Sequence, residues 1–189
     1  MKRQAVTRYS DFGVALHWVM AMVVLVAFIY GPGGSETRVY SPSRDFERQL
    51  HETLGLIVLG LAMVRVVWRL AATTPEPPPA EPWMATTAKG VQLAMYVLLF
   101  ALPFTAAVGA WLEGHPLTLL AGIAIGPLLT KSHDIGTVIA EVHTWLGDAI
   151  MWLAGLHALG GLYHHFVLRD GVLASMLPRR LLHGGRSAS

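Results

Sequence analysis

The sequence predicts an all-α membrane protein, a four-helix transmembrane bundle with both termini cytoplasmic. Three observations lead there. Of 189 residues, 53% are hydrophobic and 14% charged, well below the roughly 25% charged residues of an average soluble domain. Asp, Glu, Lys and Arg are absent from whole blocks: residues 12–35, 90–112 and 149–168. Lys and Arg also collect in alternate connections, as the positive-inside rule requires of a multi-pass chain.

Each element follows in order. A helix rising about 1.5 Å per residue needs about 20 residues to cross the hydrocarbon core, and backbone polar groups in lipid must be bonded internally. The first block predicts a helix near 13–31. It is long and no small-residue cleavage site follows it, so it does not read as a cleavable signal peptide. A second helix, near 50–70, carries Arg65 and Arg69 close to its end, where long side chains reach back to the headgroups. The linker 73–82 contains five prolines and reads as extended and cytoplasmic. A third helix is predicted near 89–112. The charge-free stretch 114–130 is short and broken by Gly114, Pro116, Gly122, Gly126 and Pro127. It therefore reads as a surface-lying or re-entrant part of a periplasmic segment, 113–137. The fourth helix is predicted near 138–168. With no internal repeat, residues 1–189 read as one integral-membrane domain.

Charge sets the orientation. Lys2, Arg3, Arg8, Arg65, Arg69, Lys89, Arg169, Arg179, Arg180 and Arg186 fall on one side, against Arg38, Arg44, Arg48 and Lys131 on the other. The richer side, with both termini, is the cytoplasmic one, which reads as a chain of an inner (plasma) membrane. The sequence pI near 9.2 expresses this bias, so the partner it implies is a lipid bilayer and no nucleic acid.

The chain has no Cys and nine His. Without Cys there is no disulfide, thiolate zinc site, iron–sulfur cluster or covalent haem attachment, so any metal or haem must be held by other ligands. The histidines sort by depth. His17 lies in the cytoplasmic half of the first helix, and His51 opens the second helix on the outer side. His143 lies in the outer turns of the fourth helix, and His157 follows it by 14 residues. Fourteen residues at about 100° each come within ~40° of four full turns, so His143 and His157 share a face roughly 21 Å apart. His51 then meets His143 at the outer level and His17 meets His157 at the inner level. Paired imidazoles at matching depth can fill both axial positions of a haem iron, and two pairs make a two-haem stack within a bundle. A membrane His can equally be an interfacial or packing residue. Arg65 and Arg69 are candidate partners for haem propionates at the inner level, or plain snorkelling residues.

Further motifs sharpen this. His-Trp at 17–18, His-Glu-Thr-Leu-Gly at 51–55, Val-Arg-Val-Val-Trp-Arg-Leu at 64–70 and Ala-Leu-Pro at 101–103 run in order. Val-His-Thr-Trp-Leu-Gly at 142–147, Gly-Leu-His-Ala at 155–158, Leu-Tyr-His-His at 162–165 and Met-Leu-Pro-Arg-Arg at 176–180 complete them. In this order and spacing the chain resembles the bacterial cytochrome b561 family, related to the cytochrome b subunit of nickel–iron hydrogenases. The resemblance covers almost the whole chain. It implies two b-type haems, with His17 and His157 on the inner one and His51 and His143 on the outer one. It also implies electron exchange with the quinone pool, ubiquinone being the expected substrate, and in one member type oxidation of superoxide at the periplasmic face. His164 lies at about 700° from His157, nearly on the same face, and is a candidate quinone-site residue.

Three functional readings follow. The first is a di-haem oxidoreductase linking superoxide to quinone. The second is an electron-transfer anchor subunit between quinone and a hydrogenase-type or periplasmic redox protein. The third is a haem-free four-helix transporter or structural protein. Glu52 and Asp148 adjoin the outer histidines, either as hydrogen-bond partners of the imidazoles or as acids facing water. The spacing of His115 and His133 carries no metal-ligand signature.

Overall fold

The computed structural model describes residues 8–72 and 81–177. Its frame is four long helices: α1 (Asp11–Ile29), α3 (Asp45–Ala71), α4 (Pro82–Glu113) and α5 (His133–Tyr163). A short helix, α2 (Glu36–Val39), and a 3-10 turn (Pro42–Arg44) join α1 to α3. After α5 the chain widens into a π turn (His164–Leu168) and ends the described region with α6 (Val172–Ser175).

All four long helices start earlier than predicted, and α1 runs Asp11–Ile29 rather than near 13–31. The second begins at Asp45 rather than near 50, because Asp45 and Glu47 favour the positive end of a helix dipole. The third begins at Pro82, since proline fits the first helical position, where no N–H is needed. Pro82 thus belongs to α4. The rest of the predicted Pro-rich linker, through residue 80, lies outside the described residues. The fourth begins at His133 with Asp134 in its first turn. It closes at Tyr163 instead of 168, where the π turn leads to Arg169 in the left-handed region at φ 54°.

The segment predicted to lie on the surface or re-enter folds as a small hairpin. Leu117–Thr118 (β1) pairs antiparallel with Ala124–Ile125 (β2), Leu117 opposite Ile125. The glycines make this turn: Gly114 leaves α4 at φ +88° and Gly122 turns the hairpin at φ +73°. The hairpin rests on the start of α3. The Glu52 carboxylate accepts from Thr118 N–H, and Thr53 Oγ1 accepts from Leu120 N–H at 3.0 Å. Among the described residues Glu52 therefore bonds Thr118 and Arg48 rather than an imidazole or open water. It accepts from Arg48 at 3.1 Å, and the two side chains are only 9% and 10% exposed. Removing one partner of a buried ion pair strands the other charge. Glu52→Ala is expected to destabilise the protein by about 3 kcal/mol, measured as a lower Tm in detergent; an unchanged Tm would show that the pair carries no weight.

Packing runs α1 against α3, α3 against α4 and α4 against α5, each neighbour antiparallel. Ser10 caps α1 through Gly13 N–H and also accepts from Trp68 Nε1 at 3.3 Å, tying the start of α1 to the end of α3. Gly109 lets α4 and α5 approach closely: a Cβ there would stand 3.4 Å from the Ala140 nitrogen. The buried core is thin, an apolar layer of Met20, Val58, Ala62, Leu98, Leu99 and Ile150. Large apolar side chains face outward instead, including Met22, Val67, Leu93, Phe104 and Trp152. That distribution suits a lipid surround. α1, the stretch Pro42–Ala71 and α4 are each long and apolar enough to span a membrane. The protein is a helical membrane protein.

Candidate functional site

Two ends of the bundle matter: the hairpin end, with β1 and β2, and the terminal end, with the start of α1 and the end of α5. At the hairpin end His51 on α3 faces His143 on α5, ring centres 5.9 Å apart and planes at 88°. Both rings are held through Nδ1. His51 Nδ1 lies 2.7 Å from the Ala27 carbonyl, one of the last four of α1, which lack a donor within the helix. His143 Nδ1 lies 3.0 Å from the Leu102 carbonyl and 3.2 Å from Thr105 Oγ1. A carbonyl only accepts, so each Nδ1 carries the proton and each Nε2 keeps its lone pair.

A cavity of about 100 Å³ opens against both rings. Its lining is apolar apart from the two histidines and Glu52, and includes Phe28, Leu102 and Ala106. Gly55 and Gly147 lie on its wall, and a Cβ on either would meet nothing within 4 Å.

At the terminal end His17 on α1 meets His157 on α5, ring centres 6.1 Å apart and planes at 76°. Among the described residues neither ring nitrogen of His17 or His157 has a hydrogen-bond partner. Ile150 stands seven residues from both His143 and His157, so the apolar layer separates the two pairs.

The donor chemistry fits haem iron. Two imidazoles bonded to one metal at roughly 2 Å each set their ring centres about 6 Å apart, as both pairs stand here. Without Cys, a haem in this chain is held only by axial ligands and packing.

Comparison with known proteins agrees. The family model for prokaryotic cytochrome b561 matches residues 8–179. The chain belongs to the prokaryotic cytochrome b561 family. It is 26% identical to cytochrome b561 homolog 2 of Escherichia coli, over 90% of this chain and 91% of that one. It is 26% identical to a probable superoxide oxidase, CybB, of Yersinia pestis, over 92% and 97%. It is 30% identical to cytochrome b562 of Cereibacter sphaeroides, over 91% and 96%. As a cytochrome b561 family member, the protein is a bacterial membrane cytochrome that binds b-type haem and transfers electrons.

At the terminal end of this cytochrome, Arg65 and Arg69 line a second cavity, of about 40 Å³, with Leu16, Trp68 and Tyr96. Arg65 Nε donates to Tyr96 Oη at 3.1 Å, and Arg69 Nη2 to Gln92 Oε1 at 3.4 Å. A guanidinium has five N–H donors, so each keeps others for an anion. The C-terminal segment closes this end. Trp18, beside His17, donates to the Met176 carbonyl at 2.8 Å, and Arg8 donates to that of Leu177.

His164, half-buried in the π turn, sits 2.5 Å through Nδ1 from Asp170 Oδ2. Asp170 Oδ1 accepts from Val172 N–H at 3.1 Å. Burial works to raise the Asp170 carboxyl, but the hydrogen bonds from His164 and Val172 outweigh it and hold the group below the usual carboxylate range. Sequence reading missed Asp170, and also Thr105 and the Ala27 and Leu102 carbonyls. The acid six residues beyond His164 was the signal for the first; the others are fixed only by packing. His165 is exposed.

Proposed function

We propose that this cytochrome carries two haems b and moves electrons across the bacterial inner membrane, from a one-electron donor at the hairpin end to ubiquinone at the terminal end. The observation that carries the reading is the two imidazole pairs, 5.9 and 6.1 Å across, at levels roughly 21 Å apart. His51 and His143 would hold one haem, and His17 and His157 the other. Each haem, when bound, would supply one-electron chemistry, with two imidazoles of this chain as its protein ligands. All four long helices would cross the bilayer. The Lys and Arg distribution puts both termini in the cytoplasm, so the hairpin end is periplasmic.

The chain's own residues set the conditions. The Ala27 and Leu102 carbonyls fix the outer imidazoles in the tautomer that leaves Nε2 basic. The layer of Met20, Val58, Ala62, Leu98, Leu99 and Ile150 keeps water from the path between the pairs. Arg65 and Arg69 offer N–H donors to propionates at the inner level. His164, oriented by Asp170, would hold a proton for a quinone oxygen.

Superoxide is the proposed donor, supported by the likeness to a probable superoxide oxidase. Two superoxide ions lose one electron each and become two O2; the two electrons, with two protons, convert the quinone to quinol. Electrostatic steering of the anion should be weak. Two of the four outer cations, Arg44 and Arg48, are already paired with Glu47, Asp45 and Glu52.

Haem quantification on the purified chain tests the scheme. Two non-covalent haems per chain, with superoxide-driven quinone reduction by the chain alone, are expected. One haem or none overturns the paired assignment. Two haems with activity only in the presence of a larger redox enzyme would favour the anchor-subunit role.

A further inference from the structure

Three connections converge at the hairpin end, outside the haem pairs. Glu36 opens α2, Glu113 ends α4, His115 follows Gly114, and His133 opens α5. One ligand atom each of Glu36, Glu113 and His133 lies within 4.8 Å of the others. His115 Nε2 is 2.7 Å from Glu36 Oε1, and His133 Nδ1 is 3.5 Å from Glu36 Oε2. We propose that Glu36, Glu113, His115 and His133 form a binding site for a divalent transition metal of the zinc class.

Two of the four groups are fixed in advance. Glu113 is only 6% exposed, and α5 presses on it so closely that a Cβ at Gly136 would stand 2.7 Å from its Cγ. The His115 ring stacks on Tyr40 at 3.6 Å and 17°. The other two face water: the Glu36 side chain is 27% exposed and that of His133 57%, which gives an ion a way in. Four donors about 2 Å from one ion stand roughly 3.3 Å apart in a tetrahedron; Glu36, Glu113 and His133 already gather within 4.8 Å of one another, and His115 reaches the set through Glu36. Two carboxylates this close repel each other, and a dication removes that cost. Lys131, whose stem lies against Gly114, supplies one positive charge near Glu36. Paired imidazoles with carboxylates suit zinc, copper or nickel, whereas magnesium and calcium call for oxygen alone.

The site joins α2, α4 and α5, so a bound ion would clasp the outer ends of three elements that belong to different parts of the chain. It stands independently of the haem assignment.

Isothermal titration of tag-free, haem-loaded protein in detergent with zinc chloride alone tests it. One zinc per chain is expected at micromolar concentration, with a rise in Tm, and no binding of magnesium at the same concentration. The His115→Gln/His133→Gln double variant should bind zinc at least tenfold more weakly while its haem spectrum stays unchanged. Should that variant fail to fold, Glu36→Gln, a change at a half-exposed position, should weaken zinc by a similar factor. Absence of saturable zinc binding overturns the proposal. So does binding that the folded variants leave unmoved, since the zinc would then sit on other histidines, such as His165 or His183.

Discussion

Replacing His17 or His157 by Ala is expected to lower bound haem from two per chain to about one and to abolish electron transfer from a periplasmic donor to quinone. The expectation is large because nothing else attaches the group. With no Cys in the chain, a haem is held by its two axial bonds and by packing alone. These two rings are also the less supported pair: among the described residues their nitrogens have no hydrogen-bond partner. The remaining spectrum should be that of the outer haem. His51→Ala or His143→Ala should remove that second component and leave the first. A reduced-minus-oxidised spectrum with haem quantification reads both results. If His17→Ala and His157→Ala retain two haems with unchanged absorption, the inner pair is not a ligand pair and those imidazoles only pack the bundle.

Much of this arrangement was legible in the sequence because lipid leaves few choices. Backbone bonding forces helices, the charge-free blocks locate them, and the 14-residue spacing of His143 and His157 puts both on one face. The pairings of His51 with His143 and His17 with His157 then follow from up-and-down topology. What escaped is what packing decides. The predicted starts lie near residues 50 and 138, but Asp45 and Asp134 are favourable in a first helical turn, so α3 and α5 start earlier. Glu52 reads in the sequence as a neighbour of His51; at i+1 on a helix it points elsewhere, and the hairpin's Thr118 takes it. Two-residue strands leave no periodicity to read. The cluster of Glu36, Glu113, His115 and His133 spans three connections, and no local spacing could announce it.

At the terminal end, His164→Ala should slow quinone reduction by about 10²-fold while leaving two haems in place, since a positioned acid–base group contributes on the order of 10²–10⁴. Geometry first supports this. His164 follows the last turn of α5 near the His157 face, and Asp170 binds its Nδ1, which leaves Nε2 to exchange a proton with a quinone oxygen. Asp170→Asn removes the anion that orients the ring, and about a tenfold loss is expected, in keeping with other groups that act by orienting an imidazole. The pH dependence has a definite sign. The folded Asp170 carboxyl lies below its ordinary value, so its contribution to the turn is complete above the unfolded carboxylate pKa and is lost as pH falls through the folded one. Hydrogen-exchange protection across residues 164–177, taken relative to the intrinsic rate at each pH, should therefore stay high through neutral and mildly acidic pH and fall only below the carboxylate range. In Asp170→Asn it should be low at neutral pH already. Stopped-flow measurement separates the steps: reduction of the haems by a periplasmic donor should be unchanged in both variants, and only their reoxidation by quinone slowed. Reoxidation at the wild-type rate in His164→Ala would place the quinone elsewhere, with the cavity beside Arg65 and Arg69 the next position to probe.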